Sequence, residues 1–417
     1  MLRYWWLLRE ITSRMWFSAS IYGVVAVLAP FIAAVVEHFI PAGLPDQIGV
    51  ESVDSILNVL AMSMLSVTIF SLSTMVAAYS AATSNVTPRA TRLLITDKIS
   101  HRALSTFLGS FIFAVVGIAA LKGGVYGEMG RFVLYLLTLG VIAMVVLTLL
   151  RWIEYLARLG RVDETLKRVE EATMNALEAR LSNPCLGGVC HEGDAPKSAK
   201  AIHSFDIGYV QHIDMQKLEN MALEYAAKIY IVAQPGKFVC ERTPLVYVTG
   251  TKIDDDLMDE VNLAFLIDEN RSFAQDPRFG LAVMQEIAVR ALSPAVNDPG
   301  TAIQVINAAV RVLSRLSDKD ALDLEEAVNY PHVYVPSLKV GSMLEDIFPP
   351  IARDGAGNLQ VHIWLQKAYA SLAHVGDKEL KKLCAEHAKQ SLKRAEAAMV
   401  LKDDITVIKA MVKENFK

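Results

Sequence analysis

The 417-residue chain has little cysteine: four residues, too few for a disulfide scaffold. It has no excess of positive charge, since 41 Lys and Arg stand against 45 Asp and Glu, a formal net charge of −4. That balance excludes a strongly basic nucleic-acid binder. Charge is scarce altogether, at 21% against 53% hydrophobic residues. Such a composition is too oily for a purely soluble protein and too charged for one held wholly in a membrane. Metalloprotease, serine-hydrolase, Walker and dinucleotide motifs are absent, and no carboxylate pair or Cys/His dyad is recognisable from spacing, so neither catalysis nor a cofactor is expected. Gly250-Thr251-Lys252 has the ending of a phosphate loop but lacks the upstream glycine that such a loop needs. Glu260, Asp268, Glu269 and Asp276 read as solvated helix faces and caps.

The apolar residues are concentrated in the first third. Four runs, near Phe17–Val36, Ile56–Ala82, Ala103–Leu121 and Phe132–Leu150, approach or exceed the roughly 20 helical residues that cross a hydrocarbon core. Arg3, Arg9 and Arg14 precede the first run as they would a secretory signal, but the run is too long for one and no small-x-small cleavage site follows. Trp5, Trp6 and Trp16 among those arginines suit an interfacial segment. The loop from Glu37 to Ser55 contains no Lys or Arg, whereas the next carries Arg89, Arg92, Lys98 and Arg102, and Arg151, Arg158 and Arg161 follow the fourth run. By the positive-inside rule both termini then face the cytoplasm. Asn85-Val86-Thr87, on that side, is a chance sequon.

No span carries a charge near its middle, which argues against a proton relay or a voltage sensor. The second span is instead rich in hydroxyls. Ser63, Ser66, Phe70, Ser73, Ala77, Ser80 and Ser84 fall on a stripe about 100° wide at helical periodicity. Small residues and hydroxyls on one face serve helix packing. The same face, turned to a water path with Phe70 as its apolar constriction, is a pore lining that gates by dewetting.

Beyond residue 150 the chain reads as an α+β cytosolic domain. Tyr155, Leu159, Val162, Leu166 and Val169 form a short heptad seam over a helical stalk at 151–182 that continues the fourth span. The stalk suits packing on its own domain as well as it suits a coiled coil between subunits. The remaining domain, 183–417, divides into a strand-rich part at 203–252, a helical part at 257–316, short strands at 331–364 and a helical tail at 377–416. Phe238–Val248 reads as a hairpin, and His332–Val335 and Gln360–Trp364 as strands joined through Pro349-Pro350. Cys185, Cys190 and His191 lie in a glycine-rich loop and are expected as free thiols and a surface imidazole, not as a metal site.

The most organised stretch is a double elbow. Asp276-Pro277 and Asp298-Pro299 each place Asp as N-cap and Pro in the first turn. Leu281, Met284, Ile287, Ala288 and Ala291 form the core face of the first helix, and Ile303, Ile306, Val310 and Leu313 that of the second. Gln275, Asp276, Arg278, Arg290, Asn297, Asp298 and Thr301 are the polar residues around it. Capping with an Arg–Asp tie between the helices accounts for them, while helix N-termini beside arginine also attract anions.

The run Phe273-Ala-Gln-Asp-Pro-Arg-Phe-Gly280, followed by Arg290-Ala-Leu-Ser-Pro-Ala-Val-Asn-Asp-Pro-Gly-Thr-Ala302, resembles the bacterial "predicted membrane protein" family of unknown function, the domain family numbered two-two-five-four. Asn85–Arg89 and Gly208-Tyr209-Val210-Gln211 match it as well. The resemblance implies an inner-membrane protein with a large cytosolic domain and brings no activity with it. Two functions compete: a homo-oligomeric ion channel lined by the second span, with a cytosolic vestibule, and a non-transporting scaffold or sensor whose cytosolic domain binds a partner or ligand. The expected partners are the lipid bilayer, further copies of the chain and ions, but not nucleic acid.

Overall fold

A computed structural model describes residues 17, 20–28, 52–95, 97–317 and 328–416. The chain forms two compact units, Met1–Thr165 and Leu166–Lys417.

In the first unit, helix α1 (Val53–Asn85), a short α2 (Pro88–Ile95), α3 (Lys98–Lys122) and α4 (Glu128–Arg158) follow one another. Three helices, Val53–Ser84, Lys98–Lys122 and Met129–Arg158, are long and apolar enough to cross a membrane. The expected span at Phe17–Val36 falls largely outside the described residues; those at 20–28 are helical. α3 is central, packing on both α1 and α4. Buried polar side chains tie these helices together: Trp152 Nε1 donates to Ser71 Oγ at 2.9 Å, and Ser100 Oγ donates to the Tyr155 hydroxyl at 3.0 Å. Asp97 caps α3 by accepting from the Ser100 amide. At the turn between α3 and α4, Gly124 adopts φ +68°, which an L side chain resists.

The stalk is not continuous with the fourth span. α4 ends at Arg158, Gly160 turns the chain at φ +81°, and α5 (Val162–Ser182) starts afresh. A Cβ on Gly160 would press on the Ala78 carbonyl at 3.1 Å. The expected seam therefore divides, with Tyr155 and Leu159 buried in the first unit's core, and Leu166 and Val169 buried in the second unit.

In the second unit two sheets share one core. The larger has the order β1 (Gly188–His191), β8 (Tyr330–Pro336), β4 (Lys228–Ile231), β6 (Pro244–Thr249), β2 (Lys200–His203). β8 is parallel to β1 and β4, whereas β6 is antiparallel to β4 and β2. The smaller sheet has β3 (Gly208–Ile213) between β5 (Phe238–Val239) and β7 (Phe265–Asp268), all antiparallel. Ile229, Val246, Val248, Val333 and Val335 alternate into the core beneath α6 (Met215–Glu224) and α7 (Asp255–Ala264). Phe238–Val248 is thus no hairpin, because β5 and β6 belong to different sheets and β6 pairs with β4.

The rest is helical: α8 (Pro277–Ala291), α9 (Pro299–Ser314), α10 (Val340–Asp354), α11 (Leu359–Val375), α12 (Lys378–Ala398) and α13 (Lys402–Asn415). The expected face of α8 is buried throughout, but on α9 the buried residues are Ala302, Val305, Ile306, Ala308, Ala309, Val312 and Leu313, with Ile303 and Val310 only half-buried. Gln360–Trp364 is the first turn of α11 instead of a strand, and Pro349-Pro350 lies inside α10. Packing overrides propensity there, since Ile347, Phe348 and Ile351 around the prolines are fully buried. Gly280 lies hard against the Thr173 side chain and has no room for a Cβ.

Candidate functional site

α8 begins where β4, the loop after β7 and the end of β8 converge. Asp276 caps it, Oδ1 accepting from the Phe279 amide at 3.1 Å. Its Oδ2 accepts from Arg271, at 2.8 Å from Nε and 2.7 Å from Nη2. Pro235-Gly236 turns the chain over this carboxylate: Gly236 has φ +89° and touches it so closely that a Cβ would strike it. Gln234 ties the turn to β8 by donating from Nε2 to the Pro336 carbonyl at 2.7 Å. Asp276 is only 3% exposed, so the sequence-based picture of a solvated cap is corrected. Burial pushes its carboxyl above the ordinary range, and the bonded Arg271 pulls it back.

These segments line a cavity of about 390 Å³ together with Arg180, Lys237, Arg278 and the first turn of α10. Arg278 is fully engaged, donating from Nε and Nη2 to the two carboxylate oxygens of Asp346 at 2.6 and 2.9 Å. Arg278 is thus paired with α10, in place of the expected tie to the second elbow. Arg180 is different. It occupies the last turn of α5, is 7% exposed, and its Nη2 has no hydrogen-bond partner. Burial lowers its guanidinium to about 10, and the nearby Asp276 charge opposes that shift. α10 follows Lys339, which gives it no side-chain cap, so its first amides lack the side-chain partner that helix N-termini usually find, and Ser337, Leu338, Lys339 and Ser342 border the cavity at that end.

The seven expected elbow residues are split in two. Gln275, Asp276 and Arg278 line the cavity, and Gln275 also accepts from the Ile213 amide through Oε1. Arg290, Asn297, Asp298 and Thr301 lie at the far end of α8, where Arg290, Asn297 and Asp298 are exposed. Asn297 takes φ +50° to make that turn, and Asp298 caps α9 through the Thr301 amide (3.1 Å) and hydroxyl (2.6 Å). Sequence reasoning missed Arg180, Lys237, Arg271 and Lys339. Arg180 did leave a signal: it continues the buried series Leu166, Val169, Thr173, Ala176, Leu177 of α5, a charge in the apolar phase of a helix.

On α1, every stripe position (Ser63, Ser66, Phe70, Ser73, Ala77, Ser80, Ser84) is exposed, while Leu57, Met64, Ser71 and Met75 face inward. The stripe therefore does not pack helices within the described part of the protomer. Ser66 and Ser73 donate back to the Met62 and Ile69 carbonyls, at 3.0 and 2.9 Å. Cys185 and Cys190, expected as free thiols, form a disulfide, with His191 bonded to the Asp194 carbonyl. No cluster of three metal-ligating side chains exists among the described residues.

No solved structure matches the chain. Two mycobacterial proteins are similar to it: the "Uncharacterized protein Rv1290c" of Mycobacterium tuberculosis and the "Uncharacterized protein Mb1321c" of Mycobacterium bovis, each 25% identical over 252 residues. The match covers 57% of this chain and 47% of either relative, so the chain spans about half the length of the curated relatives it matches. The family profile described as "Predicted membrane protein (DUF2254)" matches residues 12–371, which takes in three apolar helices, both sheets and the cavity, and the chain belongs to that family.

Proposed function

We propose that this protein is a membrane-anchored receptor whose α/β unit binds a small anion in the cavity beside Asp276. The Arg180 guanidinium carries the reading: it is buried, and its Nη2 has no partner. Buried polar groups in folded proteins are bonded in the great majority, and leaving one unsatisfied costs about 1–3 kcal/mol. An anion that completes the contact recovers that cost on binding. The cavity, at about 390 Å³, lies within the roughly 300–1,000 Å³ of small-molecule sites. The test is calorimetric titration of the full chain in detergent micelles with acetate, sulfate and phosphate. Saturable binding that Arg180→Gln abolishes and Arg290→Gln leaves intact supports the receptor. Folded protein that binds none of these anions rules it out.

A second reading, a homo-oligomeric pore, is favoured by the hydroxyl stripe of α1, exposed along its whole length on the side away from the packed face. It calls for Ser73→Cys to cross-link copies of the chain and for Phe70→Ala to raise ion flux in liposomes. If Ser73→Trp changes neither assembly nor flux, the stripe faces lipid and the pore reading fails.

A further inference from the structure

The receptor reading leaves the class of anion open, and three features of the cavity narrow it. The first is charge. Five cationic side chains line it, and two are spoken for: Arg271 by Asp276, and Arg278 by Asp346. Of the other three, Arg180 is buried with its Nη2 unpartnered, whereas Lys237 and Lys339 are exposed and Lys237 donates to the Val232 carbonyl at 3.5 Å. A monoanion offers this wall of three cations a single charge. A phosphomonoester, with a charge of about −1.5 to −2 at neutral pH and three acceptor oxygens, answers it far better.

The second feature is the start of α10, a 15-residue helix. At α8 the same kind of terminus is closed by Asp276, whereas Lys339 supplies no cap to α10, and Leu338, Lys339 and Ser342 line the cavity around that open end. Free amides and the helix dipole make such an end a phosphate seat. The buried, unpartnered Arg180 guanidinium, 7% exposed, borders the same cavity and is an independent pointer to a ligand there.

The third feature is what the walls lack. Val232, Pro235, Pro277, Pro336 and Leu338 give the body of the ligand an aliphatic surface, and no lining residue is aromatic. A nucleobase finds no ring to stack on, and stacking is what usually holds one.

We infer that the ligand is a non-aromatic phosphomonoester whose phosphoryl group sits at the open N-terminus of α10 and bonds the Arg180 guanidinium. This rests on the receptor reading of the same cavity. A soluble sugar or glycerol phosphate and the headgroup of phosphatidic acid carry the same group, and the experiment separates them.

The full chain in detergent micelles is titrated with glycerol 3-phosphate, inorganic phosphate, acetate and adenosine monophosphate. In parallel, hydrogen exchange at residues 337–343 is followed in phosphatidylcholine nanodiscs with and without phosphatidic acid. Glycerol 3-phosphate should bind at least about tenfold tighter than acetate or adenosine monophosphate. Lys339→Asp, which gives α10 its own carboxylate cap, should weaken that binding by about tenfold or more while leaving the circular dichroism spectrum and melting temperature intact or improved. Protection of 337–343 by glycerol 3-phosphate in micelles marks a soluble ligand; protection that appears only with phosphatidic acid marks the lipid; either supports the inference. Acetate binding as tightly as glycerol 3-phosphate, or Lys339→Asp binding phosphate normally, overturns the phosphomonoester and leaves the anion receptor standing. Folded protein that binds no anion in any arm overturns both.

Discussion

Asp276-Pro277 and Asp298-Pro299 are the same device used twice, yet their surroundings have little in common. Each aspartate caps a helix by accepting the amide three residues on, at 3.1 Å in both cases. Asp298 does so in the open, with Thr301 as its partner through both amide and hydroxyl. Asp276 does so at 3% exposure, with its second oxygen held by Arg271, a glycine turn laid over it and an unpaired arginine in the same cavity. Local sequence determines the cap; the tertiary fold determines whether that cap is merely structural or also the anionic wall of a site.

If that contrast holds, removing the carboxylate should cost very different amounts. Asp276→Ala loses a cap and strands Arg271 beside Arg180, and a broken buried pair of this kind costs about 3–5 kcal/mol. Asp298→Ala loses only a cap, about 1 kcal/mol. Urea melts of the two variants measure the difference, and equal costs would erase the distinction. The glycines beside the caps provide a second contrast. Gly236→Ala places a Cβ against the Asp276 carboxylate at φ +89°, and should cost about 1–3 kcal/mol from the backbone alone while weakening anion binding. In Gly300→Ala the added carbon meets only Asp298 Oδ1, at 3.2 Å. There the gain from replacing a helical glycine, about 0.5–1 kcal/mol, should leave the melting temperature unchanged or raised.

A smaller effect with a more telling sign belongs to Arg180. Arg180→Met replaces a buried, unpartnered guanidinium with an apolar chain of similar length, so the ligand-free protein should be unchanged or stabilised, by up to about 1 kcal/mol, while anion binding disappears. Arg290→Met, its exposed counterpart on α8, should move neither stability nor binding, staying within about 0.5 kcal/mol of the parent. A clear loss of stability in Arg180→Met would mean that the guanidinium serves the fold instead of a ligand.

Much of this architecture was legible in the sequence because it rests on local rules. The two caps, the α8 core from Leu281 to Ala291, and the three apolar helices beginning at Val53, Lys98 and Glu128 follow from periodicity and capping chemistry. What escaped was long-range. That β5 and β6 part into different sheets is decided by pairing with β3 and β4, and nothing in Phe238–Thr249 states it. Helices ran through Pro349-Pro350 and Gln360–Trp364 because buried neighbours outweigh propensity. The break at Gly160 depends on the close approach of Ala78. The cavity draws cations from Arg180 to Lys339, and only the misplaced charge in the apolar phase of α5 hinted at it.

The finest test of the two elbows is their response to acid, where they should differ in sign. The Thr301 hydroxyl and amide hold Asp298 below the ordinary value of 3.8. The unfolded chain therefore takes up the proton first, and the stability that Asp298 contributes above that value is lost as pH falls through its depressed pKa. For Asp276, burial places the folded pKa above 3.8 despite Arg271. The folded chain takes up the proton first there, so acidification through that window favours the native state. Asparagine is as good an N-cap as aspartate, so Asp→Asn removes the titration while retaining the cap. In urea melts carried from neutral to acid pH without ligand, Asp298→Asn should flatten the acid loss of stability and Asp276→Asn should steepen it. If Asp276→Asn also flattens the profile, Arg271 and Arg180 together outweigh burial, and the carboxylate is anchored as an ion whose charge any incoming anion must face.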